Sequence, residues 1–313
     1  MLLLLMLGQS LLQAAPENTP PRTMPNIGKI AYINESQGRD AIFIRDASQV
    51  DVIFTCDFGN EIILTPSVSS DGKFITFLVD NGRNQKTIHI LGPLEKVDEK
   101  WQANDLLVMM IRGGAWPVVK DHRSVYISMP DQTSLTLSRS SDIYLISPEK
   151  IQQITYSTDL ISHIWPLVNS NSDKLIYREV PLYDEKGETS QAIRSRIIDL
   201  KSGASSEHFV DQSVFLEQWT RAGEILFSLK ENDDNGDRIY ALYNPATREA
   251  REIYRGNSRQ GSLSTDSRFL ATIRPAYPGS ANFDIFVSDL ISNTEFNLTQ
   301  SPKQSESLIA WIE

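Results

Sequence analysis

The chain has 313 residues, 40% hydrophobic and 22% charged, with 16 Gly, 15 Pro and one Cys; these proportions exclude collagen-like, disordered and disulfide-stapled classes. Its 30 Lys and Arg against 40 Asp and Glu leave a formal charge of −10. With no basic run to neutralise phosphates, general nucleic-acid binding is excluded as well.

The first element is the apolar run Met1 to Ala15. It has the length of a signal-peptide hydrophobic region and falls short of the roughly 20 residues that a membrane helix needs. Small residues at Ala14 and Ala15 predict cleavage near Ala14, although no Lys or Arg precedes Arg22. Retention as an uncleaved anchor is the alternative, and no integral membrane segment beyond it is expected. Residues 16–25, with four prolines, read as a linker.

From residue 26 onward a phrase recurs: an apolar residue, a tight turn, a charged residue and a β-rich run. Val68-Ser69-Ser70-Asp71-Gly72-Lys73-Phe74-Ile75-Thr76-Phe77 is the clearest copy, and Leu263 to Ala271 and Trp219 to Phe227 repeat it. Weaker copies lie at Val118 to Ile127 and Val168 to Tyr177, and a partial one at Gly28 to Tyr32. The residues after each turn, Lys29, Lys73, Arg123, Lys174, Glu224 and Arg268, stand 44 to 51 residues apart. That is the period of propeller blades. Each unit carries a further β-rich run, such as Ala41 to Asp46, Asp142 to Ile146 and Asp284 to Val287, separated by turn residues that include Asn81-Gly82 and Asn235-Gly236. Beyond the N-terminal run no apolar period of helical length occurs.

The two ends complement each other. Leu308 to Glu313 looks like the first strand of a unit without its turn, and Gly28-Lys29 opens on a turn without its first strand. Joined, they complete one blade and leave no unpaired edge between first and last. The expectation is an all-β chain with residues 26–313 forming one six-bladed propeller of four-stranded blades, closed by pairing the C-terminal strand with the N-terminal blade.

The phrase around Asp71-Gly72-Lys73, with Asp284-Ile285-Phe286-Val287-Ser288-Asp289 and Phe296-Asn297-Leu298-Thr299, resembles the WD-like repeat of TolB-type propellers. Pro66, Asp71, Gly72, Lys73 and Trp219 match the family pattern at separate copies, and the resemblance covers essentially everything after Pro25. It implies a six-bladed propeller of the bacterial envelope or secreted fraction. The family's namesake has an extra N-terminal domain, for which a ten-residue linker leaves no room, so no counterpart is expected. Related propellers precede a peptidase domain, but no Gly-x-Ser-x-Gly elbow occurs here. The matching residues are structural, and no catalytic residue carries over.

Candidate chemistry is sparse. Cys56 lies in the apolar run Val52 to Cys56 and reads as a small buried hydrophobe. Asp233, Asn235 and Asp237 alternate like the first oxygens of a calcium loop. The glycine of such a loop comes two residues early, and Asn235-Gly236 is by itself a hairpin signal. Calcium is a weak candidate cofactor and no other is indicated. Trp116, Trp165, Trp219 and Trp311 fall near ends of first strands, where they either pack between blades or present a stacking surface. Among the histidines, His163 is placed to face the channel. The extra residues of the longer units fall in Met129 to Ser140 and Val180 to Ile193, and Gly92 to Asp105 reads as a long charged loop leading into a blade. All three are expected on one face, with Trp101, Tyr183 and Arg194 as contacts for a protein partner. The function expected is non-catalytic docking of an envelope or secreted protein. The alternative is a lactonase-like or lyase-like enzyme acting on a sugar or lactone at the channel mouth.

Overall fold

The computed structural model describes residues 27–83, 85–130, 140–157, 160–182, 192–210, 212–231, 237–301 and 305–312. Every regular element among them is a β-strand. β1 (Lys29–Ser36), β2 (Arg39–Arg45) and β3 (Val50–Thr55) are the outer three strands of the first blade. The second blade is β4 (Ile62–Val68), β5 (Ile75–Asp80), β6 (Gln85–Val97) and β7 (Lys100–Arg112); the third is β8 (Ala115–Asp121), β9 (Ser124–Met129), β10 (Asp142–Ser147) and β11 (Lys150–Gln153). The fourth is β12 (Ile161–Val168), β13 (Lys174–Pro181), β14 (Arg194–Asp199) and β15 (Ser205–His208). The fifth is β16 (Val214–Trp219), β17 (Ile225–Lys230), β18 (Arg238–Asn244) and β19 (Glu249–Gly256). The sixth is β20 (Gly261–Leu263), β21 (Phe269–Pro275), β22 (Phe283–Asp289) and β23 (Thr294–Asn297). Finally β24 (Ser307–Ile312) pairs antiparallel with β1, Trp311 opposite Ile30, and supplies the innermost strand of the first blade. The closure expected from the two chain ends is the one observed.

The second strand of each blade is sandwiched between neighbouring sheets. β5 (ITFLVD) and β9 (SVYISM) are accordingly buried along nearly their whole length and read as continuous apolar runs, while an outermost strand such as β11 is largely exposed. The core is divided into six clusters, one at each seam between blades. Packing is therefore distributed around a ring, and the axis is left as a channel.

The recurring phrase is a structural turn. Ser69 Oγ donates to Asp71 Oδ1 at 2.6 Å and accepts from the Phe74 amide at 3.0 Å. Ser264 and Asp266 repeat the arrangement, with the Phe269 amide 2.9 Å from Ser264 Oγ. Gly72 closes the first turn at φ 72°, a left-handed conformation that costs glycine little.

Candidate functional site at the channel mouth

The innermost strands β4, β8, β12, β16, β20 and β24 line the axial channel. Where these strands begin, it opens into a cavity of about 380 Å³. Past Pro66, Val118 and Leu167 it continues as a narrower section of about 120 Å³. In an antiparallel four-strand meander, the blade-to-blade and second-to-third connections share this end. The first-to-second and third-to-fourth turns occupy the other.

Three successive innermost strands carry a bulge at this mouth, between Leu64 and Ser67, Ala115 and Val118, and Ile164 and Leu167. Each holds a non-glycine residue at positive φ: Thr65 at 45°, Trp116 at 55° and Trp165 at 61°. Each precedes a proline (Pro66, Pro117, Pro166), which adds its own restriction. A bulky side chain held this way stores on the order of 1–3 kcal/mol, and such strain collects where side chains must be aimed at a ligand. Here both tryptophans are aimed into the mouth. Their rings stack at 5.6 Å and 17°, and Phe215 meets Trp165 edge-on at 5.5 Å. The Trp116 amide donates to Thr65 Oγ1 at 3.0 Å, tying neighbouring strands together beside the arc.

Charged groups complete the lining. The Arg238 guanidinium lies 4.2 Å above the Phe215 ring, its Nη1 donates to Ser228 Oγ at 3.1 Å, and it stands 3.8 Å from Glu217 Oε1. Ser228 Oγ in turn donates to Glu217 Oε1 at 2.6 Å. Burial pushes the Glu217 carboxyl up to about 7, while Ser228 and Arg238 pull it back. Arg259 and Gln260 form part of the rim. The mouth of an acidic protein thus carries two guanidiniums against one half-neutralised carboxyl. It can stack a planar or apolar group, attract an anion and exchange one proton near neutral pH.

No family model and no curated relative matches the chain. Among solved structures, TolB from Acinetobacter baumannii aligns with a TM-score of 0.63 at 13% identity, over 90% of this chain and 67% of that one. A putative TolB from Agrobacterium tumefaciens gives 0.52 at 12% identity, over 90% and 98%. This chain is a TolB-like propeller in fold. An oligogalacturonate lyase from Vibrio parahaemolyticus shares the architecture too, at a TM-score of 0.51 and 12% identity over 87% and 84%.

Within this TolB-like propeller the residues expected from sequence scatter. Gly92 to Asp105 is no loop leading into a blade. It is the distal part of the β6–β7 hairpin, a third-to-fourth connection, and therefore lies at the end opposite the mouth. Trp101 there is buried, with its Nε1 donating to Asp46 Oδ2 at 3.2 Å and Lys29 Nζ 4.6 Å over its ring. Trp101 and Arg194 do not share a face. Arg194, at the start of β14 near the mouth end, is held by Glu179 at 2.7 Å and Glu207 at 2.8 Å. His163 turns away from the channel into the seam with the third blade, where Nδ1 meets Asp142 Oδ1 at 2.7 Å and Nε2 lies 3.4 Å from Glu179 Oε1. Burial opposes the charge on His163, but the two carboxylates win and hold its pKa above the ordinary value.

Tyr183, Asp233 and Asn235 lie outside the described residues. Asp237 accepts the Glu231 amide on its backbone oxygen at 2.8 Å, a hairpin-closing bond. Among the described residues no group of three His, Cys, Asp or Glu side chains is placed to hold a metal. Cys56 is buried as expected, its thiol pushed up to about 12 by burial and by Asp40. The four tryptophans divide: Trp219 and Trp311 pack in seams, while Trp116 and Trp165 line the mouth. Phe215, Glu217, Arg238 and Arg259 escaped the sequence reading. The available signal was Thr65-Pro66, Trp116-Pro117 and Trp165-Pro166, which recur about one blade apart.

Proposed function

We propose that the chain is a non-catalytic binding propeller of the envelope or secreted fraction, which docks a protein partner at the channel mouth. The observation that carries this reading is the Trp116–Trp165–Phe215 arc, whose two tryptophans sit at strained bulges, since aromatic anchors beside arginine dominate interfaces. The apolar run Met1 to Ala15 supports export, and the TolB-like fold is compatible with an envelope role. The test is capture from the envelope fraction with full-length wild type, Trp165→Ala and Trp101→Ala as baits. A partner retained by wild type and Trp101→Ala but lost by Trp165→Ala supports docking at the mouth. Equal retention by all three refutes it.

A second reading is favoured by Glu217, a carboxyl near neutrality in the same cavity, which suits acid–base work on a sugar or lactone. Turnover of an oligosaccharide or lactone by wild type, abolished in Glu217→Gln, would replace the docking reading.

A further inference from the structure

Two buried polar groups near the mouth lack partners. Arg178 of β13 is 6% exposed, its Nε has no hydrogen-bond partner, and it makes no ion pair among the described residues. Ser195 of β14 is 1% exposed, and its Oγ is likewise unpartnered. The two residues are directly paired across the β13–β14 ladder, which places their side chains on one face of the sheet. Ile176 and Ile197, two residues along each strand, pack with Val214, Leu216 and Phe227 of the fifth blade, so this face looks into the seam between the fourth and fifth blades. The Arg178 guanidinium lies 5.7 Å from the Trp165 ring, which itself lines the cavity.

The acidic neighbours are engaged elsewhere. Glu179 faces the opposite seam, where Arg194, Arg196 and His163 hold it. Burial alone acts on Arg178, and it lowers the guanidinium's pKa with no carboxylate to offset it. An uncompensated buried charge is among the most costly features a fold can keep. An orphaned hydroxyl and an orphaned guanidinium Nε side by side are donors that an anion needs. The adjacent aromatic arc would pack against an apolar group carried on that anion.

We propose that Arg178 and Ser195 form a binding site for an organic carboxylate, whose apolar part stacks on Trp165 at the channel mouth. The proposal takes from the functional reading only that the mouth is where ligands enter, and it names the chemical group recognised. The Arg238 and Arg259 guanidiniums at the mouth favour approach of a negatively charged carboxylate.

The test uses the full chain and benzoate, with benzamide as the matched neutral probe and inorganic phosphate as a small-anion probe, all at constant ionic strength. Benzoate is expected to raise the melting temperature saturably and benzamide to leave it unchanged. A phosphate response equal to that of benzoate would refute the organic part of the proposal. Arg178→Met removes an unpaired buried charge, so without ligand it is expected to melt higher than wild type while losing the benzoate response. Equal responses to benzoate and benzamide would overturn the site, as would an unchanged benzoate response in Arg178→Met. If that variant melts too low to assay, the result contradicts the unpaired charge itself, and Ser195→Ala, expected to weaken the benzoate response several-fold, decides the ligand question. Partner capture is measured separately, so failure of the carboxylate site and failure of protein docking are distinguishable.

Discussion

Replacing Glu306 by Gln tests the electrostatics of the closing seam. Glu306 is 2% exposed, accepts from Asn34 Nδ2 at 3.2 Å and from Thr299 Oγ1 at 2.9 Å, and lies beside the buried Asp284. Burial first, and the Asp284 charge in addition, push its carboxyl from 4.5 to about 7. Between those values the native state keeps a proton that the unfolded chain has lost. Its contribution to stability is therefore complete below pH 4.5 and falls away as pH rises to about 7. Raising the carboxyl from 4.5 to about 7 corresponds to about 3 kcal/mol, or several degrees of melting temperature for a domain of this size. Asp142 and Glu179 are held low, His163 is held above its ordinary value by those carboxylates and His208 is pushed below it by burial, so the raw wild-type profile mixes several slopes. The difference between wild type and Glu306→Gln cancels them. Denaturant unfolding of both proteins from pH 4.5 to 7.5 is expected to show the variant gaining about 3 kcal/mol relative to wild type across the interval. Parallel profiles would refute the reasoning.

Two further outcomes follow from buried groups. Cys56 is expected to resist thiol reagents in the native state at pH 8 and to react only on unfolding, because it is 1% exposed and its thiol is pushed up to about 12; time-resolved alkylation with and without denaturant reads this. Asp142 accepts from His163, Thr155 and Ser157, so Asp142→Asn strips the main counter-charge from a buried imidazole. We expect a loss of about 3 kcal/mol of stability by denaturant unfolding and a lower His163 pKa by NMR titration.

The blade period, the ring closure and the structural nature of the Asp-Gly turns were legible because each repeats at a fixed offset and obeys local turn chemistry. The mouth was harder to read because it is assembled from single residues of different blades. Phe215 and Glu217 of β16 meet Arg238 of β18 within the fifth blade, but Phe215 reaches Trp165 of the fourth blade, and through it Trp116 of the third, only when the blades are placed around the axis, and nothing in their sequence neighbourhoods marks them. His163 misled for a related reason. Lying on a first strand does not fix which way a side chain points, and the Asp142 that draws His163 into the seam lies a blade away. The His163 amide donates to Ser141 O, just before Asp142, and the Glu306 amide donates to Phe283 O, just before Asp284. One seat therefore holds a histidine facing an aspartate at one seam and a glutamate facing an aspartate at another.

Trp101→Ala separates the two ends of the ring. At the end opposite the mouth the β6–β7 hairpin latches onto the first blade through Trp101, whose amide donates to Asp51 Oδ2 at 3.0 Å, while Lys96 reaches Asp46 Oδ2 at 3.5 Å. The Asp46 carboxyl is held well below the ordinary range, with bonds from Ser48 and Trp101 overcoming the effect of burial. Trp101→Ala empties a buried ring site, removes a donor from that carboxylate and takes away the surface under Lys29. The expected loss is about 3–5 kcal/mol, read as a lower denaturant midpoint. Because the latch lies at the far end of the axis, the folded variant should respond to benzoate and retain a mouth partner as wild type does. A variant that is still folded but has lost either response would show that the hairpin end, and not the aromatic mouth, governs binding.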